Sequence, residues 1–271
     1  MKTYAISTAL FRDSSLDEVL ARIAEAGFRE VELSGEDDDL DKWMSNVQEV
    51  RRALDSAGIV ARALHSPPRG WDNGAPDEAA RRMSVEAAAA SFLFAAEVGA
   101  EIVVCHPNKP THPFAREDFA ENWALSLESL AILAGRAHEA GVKMAVENMP
   151  ARGQPRPGGT VADIVEMING LGDHVGICQD AGHSNANRIS AANEALQAGN
   201  KLFTLHIQDN DGNGQDQHLL PGRGTTDWDA FLDALDKTAF RGMRTFEVLR
   251  GDEVEILLAE VARLRRLWEA R

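Results

Sequence analysis

Eight times along the chain a short apolar run is followed by a stretch in which apolar residues recur at helical spacing. The runs cover residues 4–10, 30–34, 59–65, 101–106, 143–148, 175–180, 202–208 and 244–249. The helical stretches lie near 16–26, 40–56, 76–98, 116–140, 161–169, 190–197, 228–237 and 253–270. Short, mostly apolar runs suit strands buried on both faces. Gly27, Gly58, Gly99, Gly141 and Gly199 stand just past the helices they would stop. Regular β-then-α alternation demands a parallel sheet with right-handed crossovers. Eight such units in 271 residues match an α/β fold of one kind, a (β/α)8 TIM barrel. A doubly wound open sheet would carry a glycine-rich phosphate loop after its first strand, and LFRDSS at 10–15 stands there instead. The expectation is a single barrel domain over residues 1–271.

The balance of 28 Lys and Arg against 43 Asp and Glu gives a net charge of −15. Such a chain repels phosphate backbones and anionic membranes, which argues against nucleic acid and membrane surfaces as partners. No uncharged apolar stretch of about 18 residues is present to span a bilayer. Cys105 and Cys178 are the only cysteines and both sit in apolar runs, so they read as buried, reduced thiols. With no apolar leader in MKTYAISTALFRDSS, a cytoplasmic location is expected. Trp43, Trp71, Trp123 and Trp268 are candidates for core or interface, which leaves a homo-oligomer open.

In a barrel of this kind the functional face lies at the C-terminal ends of the strands. Along that rim strand three ends in His65 and strand four in His106. Strand five carries Glu147, strand six ends in Asp180 just before His183, strand seven carries His206 with Gln208 and Asp209, and strand eight carries Glu247. Charged groups at buried strand ends need compensation, and a bound cation would compensate all of them. Neighbouring parallel strands are about 4.8 Å apart, so Glu147, Asp180, His206 and Glu247 can converge on one ion. Three carboxylates and an imidazole suit Mn2+, Mg2+ or Co2+, and admit Zn2+. Singly, each of these residues reads more simply as a salt-bridged or hydrogen-bonded strand end; their coincidence on four consecutive strands favours the ion. His138, inside a helix, and His174, on the opposite rim, read as structural or surface residues. His112, in the fourth βα loop, is a lesser candidate for substrate contact.

Residues 216–228 read DQHLLPGRGTTDW. PGRG is a tight turn by composition, and Thr226 or Asp227 can cap the next helix. A turn and a cap need neither a histidine nor an arginine. Asp216, His218 and Arg223 are therefore read as projecting over the barrel mouth, with Arg223 hydrogen-bonding substrate oxygens. The acidic run 36–39 is read as a solvated helix start. RGQPRPGG at 152–159 is read as a surface connection that stands where a lid would. Arg12, Arg69, Lys109 and Arg152 are read as solvated loop residues, each within reach of a phosphate if the substrate carries one.

Taken together, VEN at 146–148, QDAGH at 179–183, LHIQD at 205–209, HLLPGRGTTDW at 218–228 and FEV at 246–248 resemble the xylose isomerase-like TIM-barrel superfamily, in its sugar phosphate isomerase/epimerase branch. The eight-unit pattern extends the likeness over residues 3–268. The resemblance implies a metal held by Glu147, Asp180, His206 and Glu247, with the two glutamates doubling as acid and base. It also implies that His183 and Arg223 hold substrate oxygens, with His65 and His106 as further substrate-binding residues. Ketose 3-epimerases of the superfamily place a further glutamate six residues beyond the strand-five ligand, where this chain has Gly153. The implied activity is thus isomerisation or epimerisation of another sugar, sugar phosphate or polyol ketone.

The chain is also similar to the endonuclease IV group, which shares the barrel and binds three zinc ions. Its pattern falls here on His65, His106, His183, Asp216 and His218. A second metal at His65, His106 and Glu147 stays open, as does a further one involving Asp216 and His218. An endonuclease IV-like phosphodiesterase acting on abasic DNA is then an alternative, against which the net charge and short βα loops weigh.

The chemistry these residues suit is proton transfer next to a carbonyl. One carboxylate removes the α proton, a divalent ion stabilises the enediolate charge, and a second carboxylate returns the proton. Glu147 and Glu247, on strands three steps apart, are the expected pair. Expulsion of a β-hydroxyl from the same enediolate would instead make a dehydratase, as in the inosose dehydratase relatives. A sugar-binding module without catalysis would need no paired glutamates.

Overall fold

A computed structural model of the chain describes residues 2–11, 14–34, 37–67, 72–109, 116–249 and 253–271. Strands β1 (Thr3–Ser7), β2 (Glu30–Leu33), β3 (Val60–His65), β4 (Ile102–Cys105), β5 (Lys143–Glu147), β6 (Val175–Asp180), β7 (Leu202–Ile207) and β8 (Met243–Phe246) pair in sequence order and close on themselves, β8 against β1. Every pairing is parallel. The helices between them are α1 (Leu16–Glu25), α2 (Asp37–Ser45), α3 (Val47–Ala57), α4 (Glu78–Val98), α5 (Phe119–Ala140), α6 (Val161–Met167), α7 (Ala181–Ala186), α8 (Ala191–Ala198), α9 (Trp228–Lys237) and α10 (Val254–Glu269). The expected (β/α)8 barrel is thus the observed fold.

Local chemistry explains where these helices begin and end. Ser15 and Glu18 form a reciprocal capping box on α1, and Thr160 with Asp163 do the same on α6. Asp227, not Thr226, caps α9 by accepting from Ala230 N at 3.0 Å. Gly58, Gly99 and Gly141 take up the left-handed conformation after α3, α4 and α5.

Alternation along each strand sorts its side chains between two environments. Ile6, Val31, Leu64, Val103, Val146 and Ile177 face the surrounding helices as part of one continuous core. Ala5, Ala63 and Met243 meet inside the barrel, and Val104, Ala145 and Cys178 form another inner group with Phe203 against it. Gly176 must be glycine here, since a Cβ would stand 2.5 Å from the Phe203 ring. Nearer the C-terminal mouth the inward positions change character, to Glu32, His65, Glu147, Asp180 and His206, all buried.

Two elements differ from the sequence expectation. The stretch 40–56 is two helices, because Asn46 leaves helical geometry at φ −140° and ψ 54°. Its side-chain amide instead bonds Glu49 in the following turn. The second difference is α7, which starts directly after β6, with Asp180 as its N-cap. Residues 37–39 of the acidic run open α2, whereas Glu36 lies outside the described residues, as do Arg12, Arg69, Trp71 and His112. Trp43, Trp123 and Trp268 pack, partly buried, against the core. Both cysteines are buried and unpaired. His138 and His174 lie together, ring centroids 5.1 Å apart, away from the mouth, with His174 Nε2 donating to Ala134 O at 2.9 Å. Among the described residues no helix is long and apolar enough to cross a membrane.

Candidate metal centre and active site

The strand ends bring Glu147, Asp180, His206 and Glu247 to one point. One ligand atom from each lies within 4.8 Å of the others, and all four residues are buried. Register explains the convergence: Glu147 is paired with Cys178, Asp180 with His206, and His206 with Thr245 two residues before Glu247. Oε1 of Glu147 and Oε2 of Glu247 each lie 3.2 Å from Nδ1 of His206. Among the described residues the ion pairs of these carboxylates are all with histidines. Three buried carboxylates with neither lysine nor arginine against them among the described residues are what a divalent cation would neutralise, and the hard donor set fits one.

Glu147 is the hub of the cluster. Besides His206, its Oε1 lies 3.3 Å from His183 Nδ1, while Oε2 lies 3.1 Å from His106 Nε2 and 3.4 Å from His65 Nε2. Burial pushes its carboxyl up, but His206, His106 and His65 outweigh that and hold it well below the usual carboxylate range. Glu247 is likewise raised by burial but drawn down to about 2 by His206 and His218. Asp180 goes the other way. Burial pushes it up to about 7 despite His183, with Glu147 and Glu247 adding to the rise. Burial disfavours the His206 imidazolium, yet Cys178, Glu32, Glu247 and Glu147 hold it well above the ordinary histidine range. Burial keeps the Cys178 thiol protonated, so at neutral pH the three carboxylates supply that field.

A second cluster adjoins the first. Asp216 Oδ2 lies 3.4 Å from His183 Nε2 and 3.1 Å from His218 Nε2. These three side chains form their own group with ligand-like spacing. Each ring is fixed from behind: His183 Nδ1 lies 2.8 Å from Asn148 O, and His218 Nδ1 lies 2.9 Å from Glu247 O. His65 follows the same plan, with Nδ1 2.7 Å from Ser66 O. With Nδ1–H given to a carbonyl, Nε2 is the nitrogen that faces the carboxylate and the one that would offer its lone pair to a metal on losing its proton, the usual arrangement behind a metal-binding histidine. Burial lowers the basicity of His183 and His218, but the carboxylates around them win, raising His183 to about 10 and His218 to about 9. For His106 burial wins over Glu147 and the pKa falls below the ordinary value.

Gln208 joins the two clusters. Its Nε2 donates to Asp180 Oδ1 at 3.2 Å and to Asp216 Oδ1 at 2.9 Å. Gly182 lies so close to the Gln208 amide that a Cβ would stand 2.2 Å from its Cδ. Asp209, the other polar residue at the end of strand seven, does not face the site. It accepts five N–H bonds: Asn210 N at 2.9 Å, Thr226 N at 3.2 Å, Gly222 N at 2.8 Å, Gly224 N at 3.1 Å and Trp228 Nε1 at 3.0 Å. It thereby moulds the 221–226 turn, on which Arg223 is exposed. The 152–159 connection is tied down as well. Arg156 donates to Asn108 Oδ1 at 2.9 Å and to Pro150 O at 3.0 Å, and Asn187 Nδ2 to Gly159 O at 2.8 Å. Gly153 is at φ +79°, a conformation that disfavours a side chain there.

Two participants escaped the sequence reading. Glu32, fully buried on β2, places Oε1 3.0 Å and Oε2 3.2 Å from His206 Nε2. Gln208 stands on the same rim, and only the structure shows that it joins the two clusters. The signal for Glu32 was present: Val31-Glu32-Leu33 repeats the apolar–Glu pattern of Val146-Glu147 and Phe246-Glu247 at strand ends.

Residues 20–267 match the family model described as xylose isomerase-like TIM barrel. An uncharacterized protein of Methanocaldococcus jannaschii is 25% identical over 253 residues, 90% of this chain and 83% of that one. An inosose isomerase of Bacillus licheniformis is 30% identical over 175 residues, covering 61% of this chain and 60% of its own. Among solved structures, a D-tagatose 3-epimerase-like protein superposes with a TM-score of 0.83 at 22% identity, over 100% of this chain and 98% of that one.

Proposed function

The chain belongs to the xylose isomerase-like TIM-barrel family, and from that premise we propose that it is a divalent-metal-dependent isomerase or epimerase of a sugar, sugar phosphate or polyol ketone. The observation that carries this reading is the convergence of Glu147, Asp180, His206 and Glu247 within 4.8 Å at the barrel mouth. The likeness to an inosose isomerase and to a D-tagatose 3-epimerase-like structure agrees with it. Those four residues would hold the ion, which when bound would supply Lewis-acid stabilisation of negative charge on the substrate oxygens. Glu147 and Glu247 are both kept ionised, so either is ready to take a proton from the carbon next to a carbonyl. The other returns it to the second face or the neighbouring carbon. His183, held as a cation by Asp180 and Asp216, donates to a substrate oxygen, and Arg223 approaches from the turn.

The test is incubation of the metal-reconstituted protein with ketoses, ketose phosphates and inososes in D2O, with the products followed by NMR. Deuterium appearing at the carbon α to the carbonyl, in an isomer or epimer, supports the reading. A dehydrated product would mark the lyase branch. No exchange with any substrate while the ion is bound would sink it.

A second reading has its own observation. His65, His183 and His218 each turn Nε2 to a carboxylate while Nδ1 is fixed on a backbone carbonyl, as a multi-ion centre would require. Three zinc ions per chain with cleavage of abasic DNA would favour a phosphodiesterase. The net charge of −15 opposes that partner.

A further inference from the structure

Glu32 is a buried carboxylate with no lysine or arginine against it among the described residues, and its one ion-pair partner there is the ring of His206. An isolated ionised carboxylate in a barrel interior is expensive, so its retention needs a reason that packing does not give. The strands beside it offer none. β2 is paired with β1 and β3 so that Glu32 stands level with Ser7 and Ala63, and the Ser7 hydroxyl is used locally as an acceptor for Ala9 N.

His206 uses its two ring nitrogens on opposite sides. Nδ1 faces Glu147 and Glu247, each at 3.2 Å, and Nε2 faces Glu32 at 3.0 Å. Glu32 therefore lies across the imidazole from the proposed ion and does not share it. A carboxylate at Nε2 keeps the ring proton there and leaves the Nδ1 lone pair for the cation. It also locks the plane of the ring and raises its donor strength.

We propose that Glu32 is the positioning residue of the metal centre, setting the tautomer and orientation of His206 from the far side of the barrel. The proposal rests on the metal-dependent reading given above. Three strand steps separate β7 from β2 through β8 and β1, so the bond braces the ring across the closed sheet.

The experiment compares Mn2+ affinity by titration calorimetry in the wild type, Glu32→Gln and Glu32→Leu. It also locates the ring proton of His206 in the Zn2+-loaded wild type by long-range 1H–15N correlation. Glu32→Leu should bind Mn2+ about 10- to 100-fold more weakly. Glu32→Gln, whose amide oxygen still accepts Nε2–H, should recover most of that loss. A carboxylate that merely filled space would let leucine bind as well as glutamate. The ring proton is expected on Nε2. Equal affinity in folded Glu32→Leu, or a ring proton on Nδ1 in the zinc form, overturns the proposal; the second readout decides if Glu32→Leu does not fold. Failure of the wild type to bind either ion would instead bring down the metal reading itself, and this proposal with it.

Discussion

Glu147 and Glu247 reach the same atom from strands three steps apart: an oxygen of each stands 3.2 Å from Nδ1 of His206. In the proposed reaction two such carboxylates would move a proton from one face of a bound carbon to the other. Replacement of either by glutamine removes the base without changing the shape. Turnover should fall by roughly two to four orders of magnitude while the far-ultraviolet circular dichroism is preserved. Near-normal turnover in both variants would reject the pair.

The donor sets predict how the protein answers to chelation. Dialysis against a strong chelator should abolish activity, and Mn2+, Co2+, Mg2+ or Zn2+ should restore it to different extents. At 100 times its dissociation constant a bound ion adds about 2.7 kcal/mol to stability, so the melting temperature should fall on removal. Elemental analysis of the purified protein counts the ions: one per chain fits the quartet alone, and three fit all the histidine clusters.

The pH dependence of the metal-free protein has a definite sign. His183 and His218 are raised in the fold, to about 10 and about 9. Their contribution is full below the ordinary histidine value and is lost as pH rises through those values. Asp180, raised to about 7, also favours the fold only while protonated. Glu247, lowered to about 2, acts oppositely, losing its contribution only in strong acid. The thermal midpoint without metal should therefore decline between neutral pH and about pH 10 on account of the two histidines, the contribution of Asp180 having been lost by about pH 7. Metal binding displaces their protons and should flatten that decline. A midpoint that rises over the same range without metal would contradict the assignment.

Gly182 touches the amide that links Asp180 to Asp216. A methyl at this position would stand 2.2 Å from Gln208 Cδ and must push that side chain away. Gly182→Ala should lose roughly 1–3 kcal/mol of stability to overpacking and weaken metal affinity together with it. Urea unfolding and metal titration on the same sample check both. An unchanged metal affinity would show that Gln208 does not matter to the centre.

Asp209 accepts five N–H bonds, three of them from the turn that bears Arg223. Asp209→Ala would leave those donors without their acceptor, at a cost of about 2–4 kcal/mol. With the turn loosened, KM should rise more than kcat falls, because Arg223 is expected to bind substrate and not to move protons. Arg223→Ala should raise KM with much smaller loss of stability. Equal effects of the two variants on unfolding would place Asp209 outside this role.

The barrel was legible because it rests on a local pattern repeated eightfold, and the meeting of its strand-end residues at one mouth follows from that pattern. Apolar runs closed by His65, Glu147, Asp180, His206 and Glu247 can be read one strand at a time. What stayed hidden depends on partners distant in the chain. Glu32 carries no mark of its role in the chain, since Glu30 precedes it and further acids follow. Only closure of the sheet reveals that it is buried against a residue 174 positions away. The break at Asn46 and the start of α7 at Asp180 are decided by single side-chain bonds that periodicity does not register. Asp209 resembled another rim ligand until the turn folded over it.

Asp180 also starts a helix, accepting His183 N at 2.7 Å through Oδ1. Asparagine caps a helix as well as aspartate does, yet it carries no charge to offer a cation. A descendant that abandoned chemistry while keeping its barrel would thus meet little resistance in moving from Asp to Asn at this position. Leucine or alanine there would disturb the architecture too. If the proposed ion is held as described, asparagine at position 180 is expected in a chain that has kept this barrel and lost its chemistry.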